Sequence, residues 1–191
     1  MRDFYDSNKA TRAINTYLDF VGTDKMENKE LLMLTLIAYL EKTTQYYVKR
    51  VMGTDVNKFI ISLANKGYIT NERVGKECTV KINYTPKHSE VFSESVMYIF
   101  ANALFNTGKY LKDYRITSWT TLAAIVELPL NIGNNGYIHY TQDTLKCVGG
   151  NKAKKDINRR KLVKIGAIKG VGSSQTGTYR LNQCAYLLGA V

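Results

Sequence analysis

Apolar positions along the chain fall into helical stripes. Ala10, Ala13, Ile14, Tyr17, Leu18 and Val21 follow an i, i+3, i+4, i+7, i+8, i+11 pattern, which predicts an amphipathic helix over residues 8–21, ended by Gly22. A second helix is predicted from Asn28, a capping residue, to about Lys42. Its Leu31, Leu32, Leu34, Leu36, Ile37 and Leu40 surround the axis, so it must be buried on more than one side. Thr44 can cap a short helix over 45–52, stopped at Gly53, and Thr54 can cap another over 55–66, with Gly67 just past its end. Two strand-like runs follow, 68–70 and 79–82. The polar stretch 71–77 between them makes a hairpin with a charged tip.

After Pro86 the pattern predicts a long helix over 89–107, with Val91, Phe92, Val96, Ile99, Phe100, Ala103 and Leu104 on one face and Gly108 at its end. Residues 109–115 read as a polar connection, which divides the chain into units 1–108 and 109–191. The second unit repeats the plan. A helix capped by Thr117 or Ser118 carries Leu122, Ala123, Ile125 and Val126 and stops before Pro129. A turn region, 131–136, leads to a short strand, 137–140. Helices over 142–148, capped by Thr141, and 152–165, capped by Asn151, flank the turn Gly149-Gly150. A Gly/Ser loop, 170–177, joins strands 167–169 and 178–181. Cap and turn positions in the halves correspond: 51–54 with 148–151, and 65–69 with 164–168. The expected class is mainly α with small β-hairpins (α+β), a tandem helix-turn-helix in which each second helix leads into a hairpin wing.

Charge changes the picture. The chain has 191 residues, with 27 Lys and Arg against 16 Asp and Glu, a net charge of +11. That surplus leaves basic surface and points to a polyanionic partner, nucleic acid first and an anionic membrane second. It is concentrated over 152–165, where Lys152, Lys154, Lys155, Arg159, Arg160, Lys161 and Lys164 crowd one predicted helix with Asp156 as its only acid. Like charges at this spacing repel unless a polyanion relieves them. Lys152, Lys155 and Arg159 are expected on a DNA-facing side, opposite Ala153, Ile157 and Ile165. Lys146, Asn151, Lys154 and Asn158 complete that candidate surface, with Lys169 and Ser173 from the following hairpin, where small residues let a phosphate backbone approach. In the first unit, Thr54, Asp55, Asn57, Lys58, Ser62 and Asn65 are expected to face a groove. Tyr46, Lys49 and Arg50 are expected along a phosphate backbone, and Arg73 and Lys76 at the wing tip.

The residues that catalysis would need are sparse. The two histidines, His88 and His139, have neither paired-metal nor recombinase spacing, and Cys78, Cys147 and Cys184 suit neither zinc nor a disulfide framework. Gly170-Val171-Gly172-Ser173-Ser174 precedes strand-like residues and lacks the Lys-Ser/Thr of a phosphate-binding loop. No Ser or Cys stands in a nucleophile motif. We therefore expect neither an enzyme nor a cofactor. No apolar run reaches the roughly 20 residues of a membrane span, and the N-terminus lacks a signal-peptide profile, so a cytoplasmic protein is expected.

The segment from Leu31 to Tyr84 resembles the MarR family of winged-helix regulators and the related SarA group. The residues that carry the resemblance are Leu31-Leu32-Met33-Leu34, the helices over 45–52 and 55–63, Asn65-Lys66-Gly67-Tyr68-Ile69, and the hairpin from Arg73 to Ile82 leading to Tyr84-Thr85. Helices 8–21 and 89–107 are similar to that family's dimerisation helices, so the resemblance implies a homodimer on double-stranded DNA. Where the family carries Asp-x-Arg in the wing, this chain has Glu72-Arg73-Val74-Gly75. The second unit looks like a generic winged helix, and tandem winged helices also occur in plasmid replication initiators. The expectation is a sequence-specific transcription regulator, of a kind that a Lys-, Asn-, Ile- and Tyr-rich phage or plasmid sequence fits. The alternatives are a replication initiator or partition protein on origin repeats, or an interaction module gripping a host factor.

Overall fold

The computed structural model describes residues 5–141, 143–171, 177–182 and 186. Among them the chain forms eight α-helices and two three-stranded antiparallel sheets, an α+β arrangement. Helix α2, Asn28–Leu40, is the centre: every residue from Glu30 to Tyr39 is buried, as its all-round apolar sequence requires. Helix α1, Ser7–Phe20, lays its predicted stripe on α2, with Asp6 accepting from the Lys9 backbone N–H at 3.0 Å as its cap. Arg12 of α1 donates to the Ala38 carbonyl at 2.7 Å and pairs with Glu41, placing a cation at the C-terminal end of α2, where free carbonyls favour it.

The chain then makes β1 (Lys42–Thr44), α3 (Gln45–Met52), α4 (Asn57–Asn65), β2 (Ile69–Val74) and β3 (Glu77–Ile82), with strand order β1-β3-β2. Strand β1, too short for any local pattern to mark, is three residues long and exists through its pairing with β3. Thr44 caps α3 as expected, but Thr54 does not cap α4. Its hydroxyl accepts from Lys29 Nζ at 3.1 Å, and α4 begins three residues later behind Val56.

The expected helix over 89–107 is shorter and differently bounded. Helix α5 covers Glu94–Phe105, capped by Ser93. Buried Asn15 accepts from the Glu90 N–H at 3.0 Å and donates to the Glu90 carbonyl at 3.3 Å, which holds that residue outside any helix. Val91, expected on the apolar face, is 90% exposed. After Asn106 a new helix, α6, runs Thr107–Asp113, so the boundary expected at Gly108 falls inside a helix. Glycine is required there by close approach: a Cβ on Gly108 would lie 2.7 Å from the Val51 carbonyl oxygen and 2.9 Å from the Gly53 nitrogen.

Helix α7, Trp119–Glu127, is capped by Ser118 and runs into a 3-10 turn, Leu128–Asn131. Strand β4 (Ile138–His139), helix α8 (Lys152–Lys164) and strands β5 (Ile168–Gly170) and β6 (Thr178–Leu181) follow, with order β4-β6-β5. The helix expected over 142–148 is absent among the described residues, where only a 3-10 turn, Lys146–Val148, forms. Thr144 Oγ1 donates to the His139 carbonyl and accepts from the Thr141 N–H, and Leu145 takes a left-handed φ of 59°. Those local bonds turn the chain before a helix can propagate.

One hydrophobic core runs through both sequence units, from Ala10 to Tyr186. On the faces of the two helices likened to dimerisation helices, Ile14, Tyr17, Phe100 and Leu104 are fully buried within the single chain, and Leu18, Phe92 and Ile99 pack against the same core. Helices α1 and α5 pack on each other and on α2 within the single chain. None of the described helices is long and apolar enough to cross a membrane.

Two outcomes are expected. Sedimentation equilibrium should give 21.6 kDa, constant with concentration. Gly108→Ala should destabilise the chain by about 1–3 kcal/mol in denaturant unfolding, despite the higher helix propensity of alanine, because the new methyl overpacks against backbone.

Candidate nucleic-acid interface

The two halves superpose in their hydrogen bonding at an offset of 99 residues. Tyr68 N–H donates to the Leu63 carbonyl and Ala167 N–H to that of Leu162, both closing a helix onto a strand around a left-handed glycine, Gly67 or Gly166. Asn83 Nδ2 donates to the Gly67 carbonyl at 3.2 Å, and Asn182 Nδ2 to the Gly166 carbonyl at 2.8 Å. The hairpins keep the same register, Ile69 opposite Ile82 and Ile168 opposite Leu181. The signal was present in the sequence: Thr79-Val80-Lys81-Ile82-Asn83 and Thr178-Tyr179-Arg180-Leu181-Asn182 align residue for residue.

Each half thus offers a helix followed by a hairpin. Helix α4 buries Phe59, Ile60 and Leu63 and turns Lys58, Ile61 and Asn65 outward, with Asn57 beside them. Asn57 accepts from the Gln45 side chain, and Lys58 Nζ lies 5.1 Å from the Phe59 ring centroid. Ser62 faces inward instead, donating to Glu30 Oε1 at 2.6 Å, and Thr54 is half-buried against Lys29. On α3, Tyr46, Lys49 and Arg50 are exposed as expected, Lys49 standing 3.8 Å from Asp55. Arg73 and Lys76 are exposed on the first hairpin, where Arg73 Nε donates to the Gly75 carbonyl.

Helix α8 is rotated relative to the expected wheel. Asn158 and Leu162 are buried, with Asn158 accepting from Thr121 Oγ1 at 3.4 Å, so Asn158 is no contact residue. Arg159 is half-buried, donating to the Tyr179 hydroxyl at 3.0 Å and lying 3.5 Å from Asp156 Oδ1; Lys155 is half-buried beside it. The expected core residue Ile157 is 51% exposed. The outward row is Ile157, Arg160 and Lys164, the positions equivalent to Lys58, Ile61 and Asn65, with Lys154 and Lys161 flanking it. The wheel misled because a helix of mean polarity this high has no apolar stripe; a buried amide and one leucine decide which side faces in.

Asn151 caps α8 by accepting from the Lys154 N–H at 3.2 Å, and Lys152, Lys154 and Lys169 are exposed. Lys152, Lys154 and Lys155 sit in the first turn, where the helix dipole disfavours cations. Lys146 is exposed on the 3-10 turn. Ser173 lies outside the described residues. The sheets add three exposed basic residues outside the expected surface, Lys42, Lys81 and Arg180. Exposed Lys42 stands opposite exposed Lys81, and exposed Lys169 opposite exposed Arg180, like charges in direct cross-strand register. Such pairs cost stability in water and are relieved by an anion.

The turn that precedes α8 is held by a buried carboxylate. Glu127 accepts from the Tyr17 hydroxyl at 3.0 Å, the Lys146 N–H at 2.6 Å and the Cys147 N–H at 2.9 Å. Burial, and after it the neighbouring Cys147 and Glu127, pushes the Tyr17 phenol well above its ordinary value, so it remains a donor across the physiological range. A comparison with family models, with curated proteins and with solved structures found no match to this chain.

The rotation of α8 yields a discriminating expectation. Replacing Arg160 and Lys164 together by alanine should weaken duplex binding by about tenfold or more with the melting temperature unchanged. Arg159→Ala should chiefly lower the melting temperature, and the pair Asn57→Ala and Lys58→Ala should cost less affinity than the α8 pair. Fluorescence anisotropy and thermal melts measure all three.

Proposed function

We propose that this chain is a non-enzymatic, sequence-specific double-stranded DNA-binding protein made of two tandem winged-helix units, acting as a transcription regulator. The observation that carries the reading is the basic outward face of α8 standing before a hairpin, in an element order that occurs twice. In each half a helix precedes a strand, a helix or helical turn, a second helix and a two-stranded hairpin, and the first strand pairs with the last. This is the order of a winged helix, in which the second helix enters the major groove and the hairpin lies along the backbone. In the first half it agrees with the likeness to the MarR and SarA regulators.

Helices α4 and α8 would be the two reading helices. Their unlike faces, Lys58-Ile61-Asn65 and Ile157-Arg160-Lys164, suit an asymmetric site read by one chain, not a palindrome read by two. Non-specific attraction would come mainly from α8, whose seven basic side chains crowd one another, three of them in the first turn against the helix dipole. Asymmetric sites also occur as direct repeats, and this favours origin binding by a replication initiator or partition protein as the second reading.

Salt tests the reading directly. The logarithm of duplex affinity should fall against the logarithm of salt with a slope of about −0.9 per phosphate contact, and we expect roughly six or more contacts. A flat dependence would remove the duplex reading. A genome-wide map of bound sites then separates the roles: one promoter-proximal operator supports regulation, and an array of direct repeats supports replication. Absence of enrichment leaves the interaction module.

A further inference from the structure

The large apolar side chains left exposed among the described residues are unevenly spread. Tyr46 and Tyr47 stand on α3, Ile61 on α4, Ile157 and Val163 on α8, Tyr137 just before β4, and only Val91 lies elsewhere. Scattered exposed apolar residues are ordinary, but two isoleucines recur in one setting. Ile61, 56% exposed, is the middle of the outward row of α4, between Lys58 and Asn65. Ile157, 51% exposed, opens the equivalent row of α8, ahead of Arg160 and Lys164. Each row therefore joins one branched aliphatic side chain to hydrogen-bonding ones, and both isoleucines stand about half exposed.

A mixed row of this kind matches a surface that mixes methyl groups with acceptors. The major groove is such a surface. Guanine presents O6 and N7 to Arg or Lys, adenine presents N6 and N7 to Asn, and thymine alone presents a methyl group. The single isoleucine in each outward row is too little apolar area for a protein interface core or for burial in a bilayer surface, and the surrounding cations match phosphate.

We propose that Ile61 and Ile157 are specificity residues that each lie against the C5 methyl of a thymine, so that the recognised site carries one required thymine under α4 and another under α8. The proposal rests on the duplex-binding reading and makes it more specific.

Bound duplexes are first selected from a random-sequence pool, and each thymine of the selected site is then replaced in turn by uracil, which removes only the methyl. Affinity should fall about fourfold at one thymine in each half, the effect of one buried methyl. Ile61→Ala should abolish the penalty at one of these positions and Ile157→Ala at the other, while Val91→Ala keeps both. Circular dichroism and melting temperature should match the parent chain for all three, since the side chains are exposed. Salt-sensitive, sequence-selective binding that is indifferent to uracil, or penalties that persist in both isoleucine variants, overturns this inference and leaves duplex binding standing. Absence of salt-sensitive duplex binding, whether or not phosphatidylserine vesicles are bound, overturns both.

Discussion

The placement of α8 depends on one buried carboxylate. Glu127 sits at the C-terminal end of α7, only 4% exposed, and a carboxylate there is tolerable only if its oxygens are satisfied. Three donors converge on it: the Tyr17 hydroxyl from α1, and the backbone N–H groups of Lys146 and Cys147 from the turn before α8. The two N–H groups open a 3-10 turn, where free donors favour an anion. The same side chain therefore ties the N-terminal helix, the second half's first helix and the segment that launches the basic helix. Loss of the carboxylate would take the acceptor from the buried Cys147 N–H, at roughly 1–3 kcal/mol, and also from the Lys146 N–H and the Tyr17 hydroxyl.

This contact also explains why the two halves behave as one body. Residues 8–21, which by resemblance imply a dimerisation helix, supply Tyr17 to a carboxylate that is 110 positions further along the chain. Asn28 at the start of α2 adds to the tie, donating to the Cys147 carbonyl at 3.0 Å and to Thr120 Oγ1 at 3.3 Å. With α1, α2, α5 and α7 sharing one core, the orientation of α4 relative to α8 is set by packed side chains and not by a linker. Packing of this kind fixes the spacing between those two helices, which a flexible tether would not.

Much of the fold was legible because local chemistry decides it. The stripe of 8–21, the saturation of α2 with leucine, Thr44 before α3, Asn151 before α8 and the glycines at 67 and 166 each specify an element through period, cap or left-handed turn. The candidate contact surface was legible as charge but not as orientation. Lys152, Lys154, Lys169, Lys49 and Arg50 are exposed where expected, whereas Asn158 and Arg159 turned out to serve the interior and Arg160 and Lys164 took the outward row.

By itself, then, the sequence determined the helices with strong periodicity, their caps, the hairpins and the basic surplus, since these rest on neighbours within a few positions. Tertiary structure alone decided the rest. Strand β1 exists only by pairing with β3, residues 89–93 stay out of α5 because Asn15 holds Glu90, and α8 turns Ile157 outward because Asn158 finds Thr121. It also decided that the apolar faces of α1 and α5 close within one chain, because whether an apolar face meets its own chain or another depends on contacts 75 to 110 positions apart, which no local pattern encodes.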